Sequence, residues 1–62
     1  MQNVFFRERS TDECFEVLAG PYLVEREDGW VNCVLGAWVD GLRSGELEEM
    51  SIDSLTVYFR RV

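Results

Sequence analysis

The chain has 62 residues, 47% of them apolar, with twelve acidic side chains against six basic ones and a formal charge of −6. A domain this small buries only about 60% of its unfolded surface, so it has no volume for a large enclosed active site. It contains no His, and all six basic residues are Arg, which excludes His general bases, Schiff-base lysines and P-loop lysines.

The charge also bears on partners. A pI near 4.3 opposes an electrostatic grip on nucleic acid or anionic membrane, both of which need clustered cations. Direct nucleic-acid binding and membrane association are therefore not expected, and a basic protein partner is. Arg in place of Lys fits a GC-rich coding sequence, and the two Trp and 13% aromatic residues fit an ordinary core. The start, from Met1 to Arg9, lacks the cationic leader and long apolar region of a secretory signal. The longest mainly apolar stretch, Trp30 to Val39, is too short to span a bilayer. A cytoplasmic location with reduced thiols is the expectation. Two Cys without His cannot complete a zinc site, so neither metal nor cofactor is expected.

In chain order, Val4-Phe5-Phe6-Arg7 begins a first strand, and Ser10-Thr11-Asp12-Glu13 interrupts it with turn-forming residues. Cys14 to Ala19 forms a second strand, Gly20-Pro21 breaks it, and Tyr22 to Glu27 forms a third. Asp28-Gly29 then favours a type I′ hairpin turn. Residues 30–43 allow two readings. Trp30, Val31, Val34, Leu35, Trp38, Val39 and Leu42 recur in pairs every four residues, which suits an amphipathic helix. Gly36, Gly41 and three valines oppose it.

Pairing arithmetic favours a strand. A two-residue Asp28-Gly29 loop sets Glu27 opposite Trp30, Val24 opposite Cys33 and Tyr22 opposite Leu35. One face then carries Tyr22, Val24, Arg26, Val31, Cys33 and Leu35, joined through the Gly20-Pro21 turn by Phe15, Val17 and Ala19. Further on, Ser44 is placed to cap a short helix from Gly45 to Met50. Leu55 to Arg60 reads as a closing strand with Leu55, Val57 and Phe59 on one side. The expected fold is mainly β: a small antiparallel sheet or SH3-like barrel of about five strands with one short helix. The alternative is an α+β arrangement with a helix at 30–43 packed on an antiparallel sheet. Either way the chain is one domain.

Residues 10–54 carry eleven acids against Arg26 and Arg43, a balance of −9, while the termini carry four Arg against Glu8, a balance of +3. The expected register puts Glu16, Glu25 and Glu27 outward, with Asp28 at the hairpin tip. Leu18, Leu23, Trp30 and Val34 fall among them, an apolar patch rimmed by charge. The blander explanations are a solvated face and a patch covered by Trp38, Leu42 or the short helix. The functional explanation makes Glu16, Glu25, Glu27, Asp28, Trp30, Leu18 and Leu23 a protein-binding surface. Trp is the residue to test first, because Trp anchors are enriched among binding hot spots.

Phe5, Arg7 and Arg9 on the first strand, with Tyr58 and Arg60 on the last, interleave aromatics and cations in the manner of a base-stacking surface. That nucleic-acid reading ranks third because the acidic middle repels phosphates. Cys14 falls outward and Cys33 inward, too offset for a disulfide. The acids around Cys14 disfavour its thiolate. Catalysis is not expected. The first functional reading is a non-catalytic acidic protein that docks on and inhibits a basic, nucleic-acid-binding protein, as a phage or mobile-element product would. The second is an assembly subunit forming a homo-oligomer through an exposed apolar sheet face.

Overall fold

The computed structural model describes residues 3–62; Met1 and Gln2, part of the stretch read above for a leader, lie outside it. Five strands and one helix follow in the order β1 (Val4–Glu8), β2 (Cys14–Arg26), β3 (Gly29–Trp38), β4 (Leu47–Ser51), α1 (Ile52–Tyr58) and β5 (Phe59–Arg61). They form one antiparallel sheet in the order β4-β3-β2-β1-β5. The fold is therefore mainly β. The sheet does not close into a barrel, since β4 and β5 remain its two edges. No described helix is long and apolar enough to cross a membrane.

The helix alternative at 30–43 is overturned, because Gly29–Trp38 pairs with β2 on one side and β4 on the other. Gly36, the residue that most opposed a helix, has a positive role in the strand. A Cβ built on it would lie 2.4 Å from Phe15 Cζ and 2.5 Å from the Glu16 carbonyl oxygen. Only glycine lets the Phe15 ring lie flat against β3 at this point.

The expected break at Gly20-Pro21 is also corrected. Residues 14–26 make one strand, which absorbs its extra residues in two register shifts, between Val17 and Ala19 and between Ala19 and Tyr22. Such bulges bend a strand and change the face on which later residues fall. The first, at Leu18, separates Phe15 and Val17 from Ala19, Tyr22 and Val24, which the sequence placed on one face. Phe15 and Val17 pair with Trp38 and Gly36 on the face that carries Val34. Ala19, Tyr22 and Val24 pair with Leu35, Cys33 and Val31 on the other face. Val34, expected outward, is 3% exposed and central to the core.

The hairpin tip lies where the Asp28-Gly29 signal put it, with a different register. Arg26 pairs with Gly29, so Glu27 and Asp28 form the loop, and Val24 faces Val31 rather than Cys33. Glu27 and Asp28 both keep negative φ, while Gly29 takes φ +130°, so the turn is not type I′. The slip is two residues, and because strand faces alternate with period two, Trp30 and Leu23 still share a face with Val34; that face, expected outward, is the one that carries the core.

The second half is rearranged. Leu47–Ser51 is a strand rather than the end of a helix, and the helix comes afterwards at Ile52–Tyr58. Its cap is Ser51, whose Oγ accepts from the Ser54 backbone N–H at 3.1 Å; Ser44 instead donates its hydroxyl to the Val39 carbonyl. Met50 explains the choice: opposite Val34, it buries its side chain in the core. The expected strand Leu55–Arg60 becomes helix and then β5. Leu55 and Phe59, expected on one side with Val57, are both buried, but the helical turn carries Val57 outward, where it is 61% exposed.

The core is Phe15, Val34, Trp38, Met50, Leu55 and Phe59, with Phe6, Val17 and Ile52 packed against it. Phe15 and Trp38 meet edge to face at 5.1 Å between ring centroids, and Phe59 sits 6.0 Å from Phe15 and 5.8 Å from Trp38. The three rings come from β2, β3 and β5, and α1 covers this face of the sheet through Leu55 and Ile52. Both thiols are free and buried, so Cys14 does not face outward as expected. Its backbone N–H donates to Asp40 at 2.7 Å, which lays the 39–46 loop over it.

Candidate functional site

Half of the charged residues are engaged with one another in ion pairs, and their pattern locates the site by subtraction. Arg43 lies at its centre. Its Nη2 donates to Glu8 at 2.5 Å and to Glu13 at 2.6 Å, and its guanidinium carbon stands 3.5 Å over the Trp38 ring. This contact pins the 39–46 loop onto the β1–β2 turn. Hydrogen bonding from Arg43 holds the Glu13 carboxyl below the usual glutamate range and raises the pKa of Arg43 itself. Asp40 pairs with Arg7 at 3.6 Å and Asp12 with Arg60 at 3.4 Å. These carboxylates flank the direct Arg7–Arg60 cross-strand pair, whose like charges would otherwise repel. Glu49 receives both Arg26, at 3.2 Å, and the Tyr22 hydroxyl, at 2.9 Å, so the phenol is harder to ionise than usual. Glu48 accepts the Trp38 indole N–H at 3.1 Å, and Glu16 accepts the Asn3 side-chain amide.

Among the described residues, this leaves Glu25, Glu27, Asp28, Glu46 and Asp53 with neither an ion pair nor a side-chain hydrogen bond. All but Glu46 belong to one region. Glu25 pairs across the hairpin with Trp30, Leu23 pairs with Asn32, and Glu27 and Asp28 form the loop beyond them. Trp30 is 65% exposed and Leu23 60%. An open pocket of about 270 Å³ lies beside them, lined by Trp30, Val31, Asn32, Ile52 and Asp53. The hairpin thus supplies one wall and the first turn of α1 the other. The only cation on the hairpin, Arg26, shares a face with Val24 and is held by Glu49.

Five of the seven residues read from the sequence as a binding surface are brought together here: Leu23, Glu25, Glu27, Asp28 and Trp30. The other two are not. Glu16 lies near the start of β2 between Phe5 and Ala37, away from Glu25, and Leu18 is exposed at the first bulge. Asp53 and Ile52 were missed because residues 52–54 were left between the expected helix and strand. The Ser51-to-Ser54 spacing is the signal that would have placed them on a capped first turn.

The interleaved aromatic and Arg surface is not built. Arg7 and Arg60 are taken up by Asp40 and Asp12, and Tyr58 lies on α1 rather than on a strand. No group of three or more His, Cys, Asp or Glu among the described residues is arranged to hold a metal ion. The arrangement at the tip can do two things: bury apolar surface on Trp30 and Leu23, and attract cations. Comparison with known proteins finds no family model, no curated protein and no solved structure that matches this chain.

Proposed function

We propose that the protein is a non-catalytic binding module that docks the tip of its β2–β3 hairpin on a basic protein and occludes the cationic surface that partner uses for nucleic acid. The observation that carries this reading is the convergence of the uncommitted carboxylates, Glu25, Glu27, Asp28 and Asp53, on the exposed Trp30 and Leu23. An apolar centre with a charged rim has the anatomy of a protein interface. Acidic residues steer a cationic partner toward it, a long-range effect that weakens as salt shortens the Debye length from about 10 Å at 0.1 M to about 3 Å at 1 M.

The test is parallel affinity capture with the wild-type chain and the triple variant Glu25→Gln, Glu27→Gln, Asp28→Asn, followed by mass spectrometry. Wild type should retain cationic proteins that elute with salt, the triple variant should lose them, and added wild-type chain should release the partner from DNA or RNA. Capture that is the same for both chains refutes the reading.

A second reading has its own observation. The sheet face turned away from the Phe15 core carries half-buried Tyr22, Val24, Val31 and Leu35, with Leu47 exposed beside them. Two copies packing these faces would form a homo-oligomer. Light scattering at micromolar concentration separates the two: a stable dimer supports assembly, and a monomer supports docking.

A further inference from the structure

The docking reading leaves open what the partner inserts. We propose that the pocket between Trp30 and the start of α1 receives an arginine side chain from a basic segment of the partner, its guanidinium stacked on the Trp30 indole and its N–H groups directed at Glu25 and Asp53. The inference rests on the docking reading and makes it more specific.

Three observations support it. First, at about 270 Å³ the pocket lies at the small end of the roughly 300–1,000 Å³ range of ligand sites and has room for a single long side chain. Second, its chemistry is that of a guanidinium site. Trp30 presents an exposed ring, Glu25 stands directly across the hairpin from it, and Asp53 lines the opposite wall. A planar cation can stack on the ring while its edge meets carboxylates, whereas an ammonium must choose between them. Third, the fold contains a worked instance of the same assembly. Arg43 stands 3.5 Å over Trp38 while Nη2 reaches Glu8 and Glu13. Trp30 with Glu25 and Asp53 offers the same side-chain types at the surface, and the cation must come from another molecule.

Other occupants fit less well. A nucleobase could stack on Trp30, but its phosphates would meet Glu25, Glu27, Asp28 and Asp53. A second copy would have to present Arg9 or Arg61, which lie at the β1–β5 side of the sheet, away from the hairpin tip.

The test uses the full chain, labelled with ¹⁵N, and two blocked peptides, acetyl-Gly-Arg-Gly-Arg-Gly-amide and its lysine counterpart. The arginine peptide should shift the Trp30 indole N–H and the Ile52 and Asp53 amides in a saturable way and leave the Trp38 indole unmoved. The lysine peptide should bind roughly three- to tenfold more weakly. Trp30→Leu should weaken arginine-peptide binding about tenfold and Asp53→Asn several-fold, with the unshifted Trp38 indole signal reporting an intact core in each.

Equal binding of both peptides, or unchanged binding by Trp30→Leu, overturns the inference. If binding is then still lost in the Glu25→Gln, Glu27→Gln, Asp28→Asn variant, acidic docking survives and only the arginine pocket falls. Shifts that grow with protein concentration without peptide show the pocket filled by a second copy, which also overturns it. So does saturable binding of a dT oligonucleotide to Trp30.

Discussion

Gly36→Ala is the substitution on which the account of the core depends most directly. The new methyl group would sit 2.4 Å from Phe15 Cζ, 2.5 Å from Phe15 Cε2 and 2.5 Å from the Glu16 carbonyl oxygen. Carbon atoms rest at about 3.5–4.0 Å, so something must move by more than 1 Å. The carbonyl belongs to the β2–β3 ladder, and the ring is wedged against Trp38 and Phe59 at centroid distances of 5.1 and 6.0 Å. Neither is the free end of a flexible side chain. Overpacking of this kind costs about 1–3 kcal/mol. Disturbing the edge-to-face Phe15–Trp38 pair adds about 0.5–1.5 kcal/mol. Removing glycine from a strand returns about 0.5–1 kcal/mol. The net is a loss of about 2 kcal/mol, against a total stability of roughly 3–9 kcal/mol for a chain of this length.

Urea unfolding followed by Trp fluorescence should therefore show a lowered midpoint, and the melting temperature should fall by about 8–16 °C. Phe15→Leu should be less damaging in the Gly36→Ala background than in wild type, because the two changes meet at one contact. A Gly36→Ala chain as stable as wild type would refute the close approach of Phe15 to β3.

Other outcomes follow from the same geometry. Because Arg43 lowers the folded-state pKa of Glu13, that carboxylate contributes stability above the usual glutamate value of 4.5, and the contribution disappears as pH falls through the depressed value. Urea midpoints at pH 6 and pH 3 should differ less in Glu13→Gln than in wild type. The Tyr22 phenol, raised by its bond to Glu49, behaves in the opposite sense: its contribution is present below pH 10 and is lost as pH rises through the folded value. Tyr22→Phe should flatten the alkaline limb of the stability profile. Ser51→Ala removes the α1 cap and should lower stability by about 1 kcal/mol in the same urea assay. Trp30→Leu, at an exposed position, should leave the unfolding free energy from the urea assay within about 0.5 kcal/mol of wild type.

The hairpin was legible in the sequence for a physical reason. Asp28-Gly29 marked the turn, and an error of two residues in the loop leaves the same side chains sharing a face, so Leu23, Glu25 and Trp30 were grouped together. The bulge at Leu18 was not legible, because nothing in the residues around it marks an extra one, whereas Gly20-Pro21 marked its own irregularity and Ala19 was grouped with Tyr22 and Val24 across it. That one omission moved Phe15 and Val17 away from Val34 and Trp38 and turned the core inside out. The helix was misplaced because Ser44 and Ser51 are both competent caps, and the choice between them rests on Met50 finding Val34 across the sheet. The Arg43 contact with Trp38, Glu8 and Glu13 joins residues distant in sequence and has no local signal at all.

The opening charge of −6 has a direction once the ion pairs are removed from it. Arg7, Arg26, Arg43 and Arg60 neutralise acids on β1, β4, the β1–β2 turn and the 39–46 loop. Arg9 and Arg61 form no ion pair among the described residues and belong to the β1–β5 side, while Glu25, Glu27, Asp28 and Asp53 gather at the far end of the β2–β3 hairpin. A uniformly acidic surface would keep the protein soluble and attract cations from every side. Of the seven acids without an ion pair among the described residues, four surround the more exposed of the two tryptophans. Solubility alone does not require that coincidence, because carboxylates anywhere on the surface would serve it equally well. An oriented approach of a cationic partner does require it, since the charges that steer the encounter must surround the apolar contact that holds it.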